Sequence, residues 1–323
     1  MSPLVVPAWA WALLAVIVCV SISIDLFAHR GDRVDSRRRA LAWSAGWIAV
    51  ALAFNVFVAY RFGAEAGEQF LAAYLLEKSL SVDNLFVFLL VFSALQIPAT
   101  EQRRVLTWGI AGAILMRGVL IFVGAAAVQR WHSLLWVFGG ILVIAAVKLL
   151  RGGAPVSESR LLRWLERHLP WTPKLDGHHF VTRVSGRRVA TPLLLALIAI
   201  ELTDVVFAID SVPAAFAVAE DPFLIYSSNL FAILGLRALY VALAGALAGL
   251  RYLRHGLAAV LAFAGGKLLL GSWIHIPPFA SVGVIAGCIG IAVAASMWAN
   301  RTQRKARERA AESAGQRPCI AND

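Results

Sequence analysis

Charge and sulfur are both scarce in this chain. Of its 323 residues only 15% are Asp, Glu, Lys or Arg, against about 25% in soluble domains. There are three cysteines: Cys19 and Cys288 lie in apolar runs, Cys319 lies near the C-terminus, and no C-x-x-C pair occurs. That spacing excludes a disulfide framework and a thiolate zinc site. No P-loop, H-E-x-x-H or G-x-S-x-G motif is present, which argues against nucleotide-driven machinery and against the common hydrolases. Apolar residues fill the space instead. Hydrophobic residues make up 60% of the chain and the mean hydropathy is +0.74. A soluble core of this length has too little interior to hide them. A soluble enzyme, a nucleic-acid-binding domain and a disordered protein are excluded, and a polytopic membrane protein remains. The net charge of +11 and pI near 10.3 are then topogenic, since Lys and Arg concentrate in cytoplasmic loops.

A membrane-crossing helix needs about 20 apolar residues. Nine segments qualify: 8–28, 41–60, 70–95, 105–128, 132–150, 190–212, 223–249, 256–272 and 277–298. The first lacks a basic leader and is followed by Arg30, Arg33, Arg37, Arg38 and Arg39, the pattern of an uncleaved anchor. With the N-terminus outside and the C-terminus inside, the inner loops and tail hold 23 of the 30 Lys and Arg, and the outer loops only Arg61 and Arg130. The expected organisation is all-α, with one transmembrane domain over 1–300. It comprises a first unit at 70–150, a cytoplasmic loop at 151–189 and a second unit at 190–272. The basic cytoplasmic tail spans 301–323. The loop carries His168, His178 and His179, which are expected to be solvated.

The two units are related in sequence. AILMR at 113–117 matches AILGLR at 232–237, KLL recurs at 148–150 and 267–269, and VDNLF at 82–86 aligns with TDVVF at 203–207. This register pairs Asp83 with Asp204, Arg117 with Arg237 and Lys148 with Lys267. A second register pairs Asp83-Asn84 with Asp210-Ser211. In either, two three-span units (spans 3–5 and 6–8) joined by an inner loop face opposite ways. That is an inverted repeat of the kind transporters use, with binding near the midplane.

Ionisable residues inside a bilayer are costly and mark function by default. YLLEKSLSVDNLFVF carries Glu77, Lys78, Asp83 and Asn84, and AIELTDVVFAIDSVP carries Glu201, Asp204, Asp210 and Ser211. Glu77, Ser81 and Asn84 share one helix face, as do Glu201, Asp204, Ala208 and Ser211, whereas Asp83 and Asp210 fall off those faces. Pro213 is expected to kink or break its helix. Carboxylates with amide and hydroxyl oxygens are hard-cation ligands, suited to Mg²⁺, Ca²⁺ or Mn²⁺. A proton pathway is the other use of such residues. Lys78, Arg117, Arg237 and Lys267 are the expected counter-charges, and a purely structural ion-pair network is the competing reading. Asp25 and Asn229 are additional candidates, as is Asn55, although hydrogen bonding between helices serves the two asparagines equally well.

EKSLSVDNLFVF at 77–88, ELTDVVFAIDSVPAAF at 201–216 and DPFLIYSSNLFAILGLRALY at 221–240 resemble the signature stretches of the TerC/Alx family of integral membrane proteins. DGHHF at 176–180 and ATPLLLALIAIE at 190–201 are similar to it too. The resemblance covers about 40–275. It implies a tellurium-resistance-associated protein or manganese exporter of the bacterial inner membrane, with Glu77, Asp83, Glu201, Asp204 and Asp210 as cation ligands. The resulting expectation is a secondary transporter, not an enzyme, that exports Mn²⁺ and also accepts Ca²⁺. It would hold no permanent cofactor. Its partners are a divalent cation and the lipid bilayer, not nucleic acid; the sequence leaves its oligomeric state open. A membrane scaffold for a stress or tellurite-resistance complex is the alternative.

Overall fold

The computed structural model describes residues 6–28, 37–131, 133–151, 158–184, 186–243, 252–270 and 276–315. In hydrocarbon every backbone N–H and C=O needs a partner within the protein, and a long apolar run supplies it within its own helix. In chain order the elements are α1 (Ala8–Ala28), α2 (Arg37–Phe62), α3 (Ala64–Ala94), α4 (Ala99–Arg130), α5 (Leu134–Leu150), α6 (Glu158–His168), β1 (Val181–Val184), β2 (Arg187–Ala190), α7 (Pro192–Val218), α8 (Pro222–Leu234), α9 (Leu236–Leu243), α10 (Leu253–Leu270) and α11 (Pro278–Gly315). The molecule is an all-α membrane protein with one antiparallel hairpin, in which Val181 pairs with Ala190 and Val184 with Arg187. Among the described residues, α2, α4, α7, α10 and α11 each hold a stretch long and apolar enough to cross a bilayer, and α1, α5 and α8 hold shorter apolar ones. The 31-residue α3 carries the charged residues of the first motif.

Helix α3 is central and packs against α2, α7, α8 and α11. Helix α4 packs against α7 and α8, and α5 against α10. Small residues allow the closest crossings, as is usual where helices meet in lipid. At the α5–α10 crossing, a Cβ on Gly139 would stand 3.1 Å from the Gly265 carbonyl, and one on Gly265 would stand 2.9 Å from that of Gly139. Helix ends follow local chemistry. Gly63 joins α2 to α3 at φ +101°, a conformation that glycine adopts without steric cost. Asp221 caps α8 by accepting the Phe223 N–H at 2.8 Å, with Pro222 in the first turn, where its missing N–H loses nothing.

Four features go beyond or against the sequence reading. Helix α7 runs unbroken through Pro213 to Val218. The prolyl ring removes one backbone bond, and the buried Ala214–Val218 turn is held by tertiary packing. The interruption falls instead in the expected span 223–249, at Gly235 between α8 and α9; residues 244–251 lie outside the described residues. The segment 151–189 is not only loop. It contains α6, whose Leu162 and Leu165 are buried while Arg163, Trp164 and Arg167 face out, followed by the hairpin. Finally, α11 continues into the basic tail as far as Gly315.

The hairpin end of the bundle has its own apolar cluster, in which Leu162 and Leu165 of α6 join Phe88, Phe92, Leu106, Leu193 and Tyr240. A larger cluster fills the rest of the bundle.

Candidate cation site

The heptad-like spacing on α3 places Glu77, Ser81 and Asn84 on one stripe, and all three are buried at 1%, 1% and 3% exposure. On α7, Asp204 is 7% exposed and faces that stripe. Arg117 of α4, 3% exposed, enters between them. Its Nη1 donates to Glu77 Oε2 at 2.6 Å, its Nη2 to Asp204 Oδ1 at 2.8 Å, and its Nε to Asp204 Oδ2 at 3.1 Å. Asn84 Nδ2 also donates to Asp204 Oδ1, at 3.0 Å. Burying charge is tolerable only when each ion is paired and hydrogen-bonded. A planar guanidinium meets a carboxylate through two parallel bonds, which a lysine ammonium does not reproduce.

A small cavity of about 20 Å³ adjoins this network. Its walls come from α3, α4, α7, α8 and α9, including Ser81, Asn84, Gly109, Arg117, Glu201 and Asp204. Glu201 lies one turn before Asp204, yet it is outside the ion-pair network. Both of its carboxylate oxygens are shielded and accept no hydrogen bond among the described residues, and neither does Ser81 Oγ. Glu77 and Asp204 stand on either side of the guanidinium. Among the described residues no three His, Cys, Asp or Glu side chains converge as a metal cage.

The structure therefore brings together five of the expected site residues: Glu77, Asn84, Glu201, Asp204 and Arg117. Others have different surroundings. Asp210, half-buried on the far side of α7, lies within electrostatic reach of Lys148 on α5. Ser211 and Asn229 are buried at 1% each and have no hydrogen-bond partner for their side chains among the described residues. Lys78 Nζ donates to the Ala232 carbonyl of α8 at 3.2 Å, and Lys267 Nζ to Ser281 Oγ of α11 at 3.0 Å. Arg237 is buried and engaged by a neighbour. The side chains of Asp25 and Asp83 lie outside the described set. Asn55 on α2 has its amide oxygen buried without a partner among the described residues.

Sequence reasoning missed three local features. His178, expected to be solvated, has a 64% exposed side chain but contacts buried Glu101 at 2.7 Å, joining the segment before the hairpin to the start of α4. Tyr240 Oη donates to Gln102 Oε1 at 2.8 Å, tying α9 to the same turn. Gly112 lies directly against the Glu201 carboxylate. A glycine inside an apolar helix was the one signal for this contact, and its partner is distant in sequence.

Comparison with known proteins agrees with this architecture. The model of the integral membrane protein TerC family matches residues 62–304. The "Uncharacterized membrane protein STKORF319" of Myxococcus xanthus is 47% identical over 91% of this chain and 92% of its own length. The "Putative membrane-bound redox modulator Alx" of Salmonella typhi is 42% identical over 91% of this chain and 96% of its own. The "Thylakoid membrane protein TERC, chloroplastic" of Arabidopsis thaliana is 41% identical over 77% of this chain and 66% of its own. No solved structure matches the chain significantly. With the signature helices, the buried acids and a family match over most of the sequence in agreement, the chain belongs to the TerC family of integral membrane proteins.

Proposed function

We propose that this protein is a secondary transporter, not an enzyme, that exports divalent cations from the cytoplasm, with Mn²⁺ as the preferred cargo and Ca²⁺ as a second one. The observation that carries the reading is the charge imbalance around the cavity. Glu77 and Asp204 pair with a single guanidinium, Arg117, while Glu201 lines the same cavity with no partner among the described residues. With the acids ionised, the group carries two net negative charges, which one divalent cation neutralises. The oxygen-only donor set of carboxylates, Asn84 and Ser81 suits a hard cation. Arg117 acts as a tethered counter-ion that holds Glu77 and Asp204 when the site is empty, and arriving cargo competes with it for Asp204.

In this reading the chain has nine spans, with the N-terminus outside, and lies in the bacterial inner membrane. The loop charge asymmetry supports the orientation, and the bacterial relatives support the location. Packing supports the inverted repeat. Exchanging the two units maps the α3–α7 and α5–α10 contacts onto themselves and the α4–α7 contact onto that of α8 with α3. The cavity then lies between the units, where alternating access needs it.

The test is flux of Mn²⁺, Ca²⁺, Mg²⁺ and Zn²⁺ into liposomes containing the purified protein. Mn²⁺ is expected to move fastest. No flux of any divalent ion would favour a scaffold that transports nothing itself.

A further inference from the structure

Glu201 reaches from α7 toward α4, where small residues receive it. Gly109 and Ala113 line the cavity, and Gly112, between them in sequence, lies directly against the carboxylate. A Cβ built on Gly112 would overlap Glu201 Oε1 and would stand 2.5 Å from Cδ and 2.7 Å from Oε2. A Cβ on Gly109 would make ordinary contact, 3.5 Å from Ile200 and 3.9 Å from Glu201 Oε1. The demand for glycine is therefore local to position 112. Glycine in a membrane helix lets a neighbour approach closely, and at position 112 the neighbour is the Glu201 carboxylate. A second, independent feature coincides with it: the Glu201 oxygens are buried and unpartnered among the described residues, although Arg117 lines the same cavity.

We propose that Gly112 is a positioning residue for the cation site. Its bare backbone forms a slot that holds the Glu201 carboxylate against α4, clear of Arg117, and so keeps it open to an incoming divalent cation. The inference rests on the export reading. A methyl group at position 112 drives the carboxylate out of the slot toward the Arg117–Asp204 pair, where the guanidinium neutralises it and cargo meets one ligand fewer.

The test is a double-mutant cycle on the full-length protein, reading Mn²⁺ flux in liposomes and Tm in detergent. Gly112→Ala should raise the KM for Mn²⁺ about tenfold, in keeping with the cost of one overpacked methyl, and leave kcat within about twofold. Glu201→Asp withdraws the carboxylate by one methylene. In that background, Gly112→Ala should change neither KM nor Tm further. If Gly112→Ala does not accumulate, the double variant should, because the overlap is relieved; failure of both overturns the proposal. Wild-type KM in Gly112→Ala, or the same cost in both backgrounds, also overturns it. A wild-type protein that moves no divalent ion defeats the export reading instead. The slot is then decided by the Tm cycle, where Gly112→Ala must shift Tm with Glu201 present and leave it unchanged with Glu201→Asp.

Discussion

Arg117 and Asp204 meet through a two-pronged contact, Nη2 to Oδ1 at 2.8 Å and Nε to Oδ2 at 3.1 Å. They lie 87 positions apart in sequence, on α4 and α7. Both are buried, so each is the other's main counter-charge, with Glu77 sharing the arginine and Asn84 donating to Asp204.

Removing that arginine leaves two buried acids uncompensated. Arg117→Ala should lower stability by about 3–5 kcal/mol, the usual cost of breaking one side of a buried pair. Thermal unfolding in detergent measures it. Adding Asp204→Asn to the same chain should recover part of the lost stability without restoring transport. Full additivity of the two substitutions would mean that they do not interact.

Asp204→Asn alone retains the shape and the contact with Asn84 but removes one negative charge. The protein should accumulate in the membrane and lose most Mn²⁺ flux. Wild-type flux would place the cation site elsewhere. Failure to accumulate would favour the structural ion-pair reading.

The orientation is checked by reporter fusions. Fusions after residues 180 and 305 should report the cytoplasm and a fusion after residue 220 the outside. A fusion after 305 that reports the outside would end both the nine-span topology and the inversion.

The cap of α8 is a local stability element. Asp221→Ala should cost about 1 kcal/mol, the typical value for losing a side-chain N-cap, and Asp221→Asn much less, because the amide oxygen still accepts the Phe223 N–H. Denaturation midpoints of the two variants give the comparison. Flux should change little in either, since the cap is remote from the cavity residues.

Much of the site was legible from spacing alone. Glu77, Ser81 and Asn84 fall on one helical stripe by periodicity, and burial of that stripe follows because three polar side chains on one side of an apolar helix turn away from lipid. The same argument puts Asp210 off the α7 stripe, and it does lie on the α5 side. Periodicity could not find the break at Gly235 or the continuity at Pro213. Whether a glycine or a proline interrupts a helix depends on what the neighbouring helices offer the freed backbone, and that is a tertiary quantity.

Composition and periodicity by themselves determined that this chain lives in a membrane, that it is helical and which faces of its motif helices are polar, because long apolar runs satisfy their backbone in hydrocarbon as helices and every unpaired charge there is penalised. Pairing was decided only in three dimensions. That Arg117 takes Asp204 and Glu77, that Glu201 is left out, and that Gly112 makes room for it follow from how closely α4 approaches α7. That distance is set by side-chain volumes from distant parts of the chain.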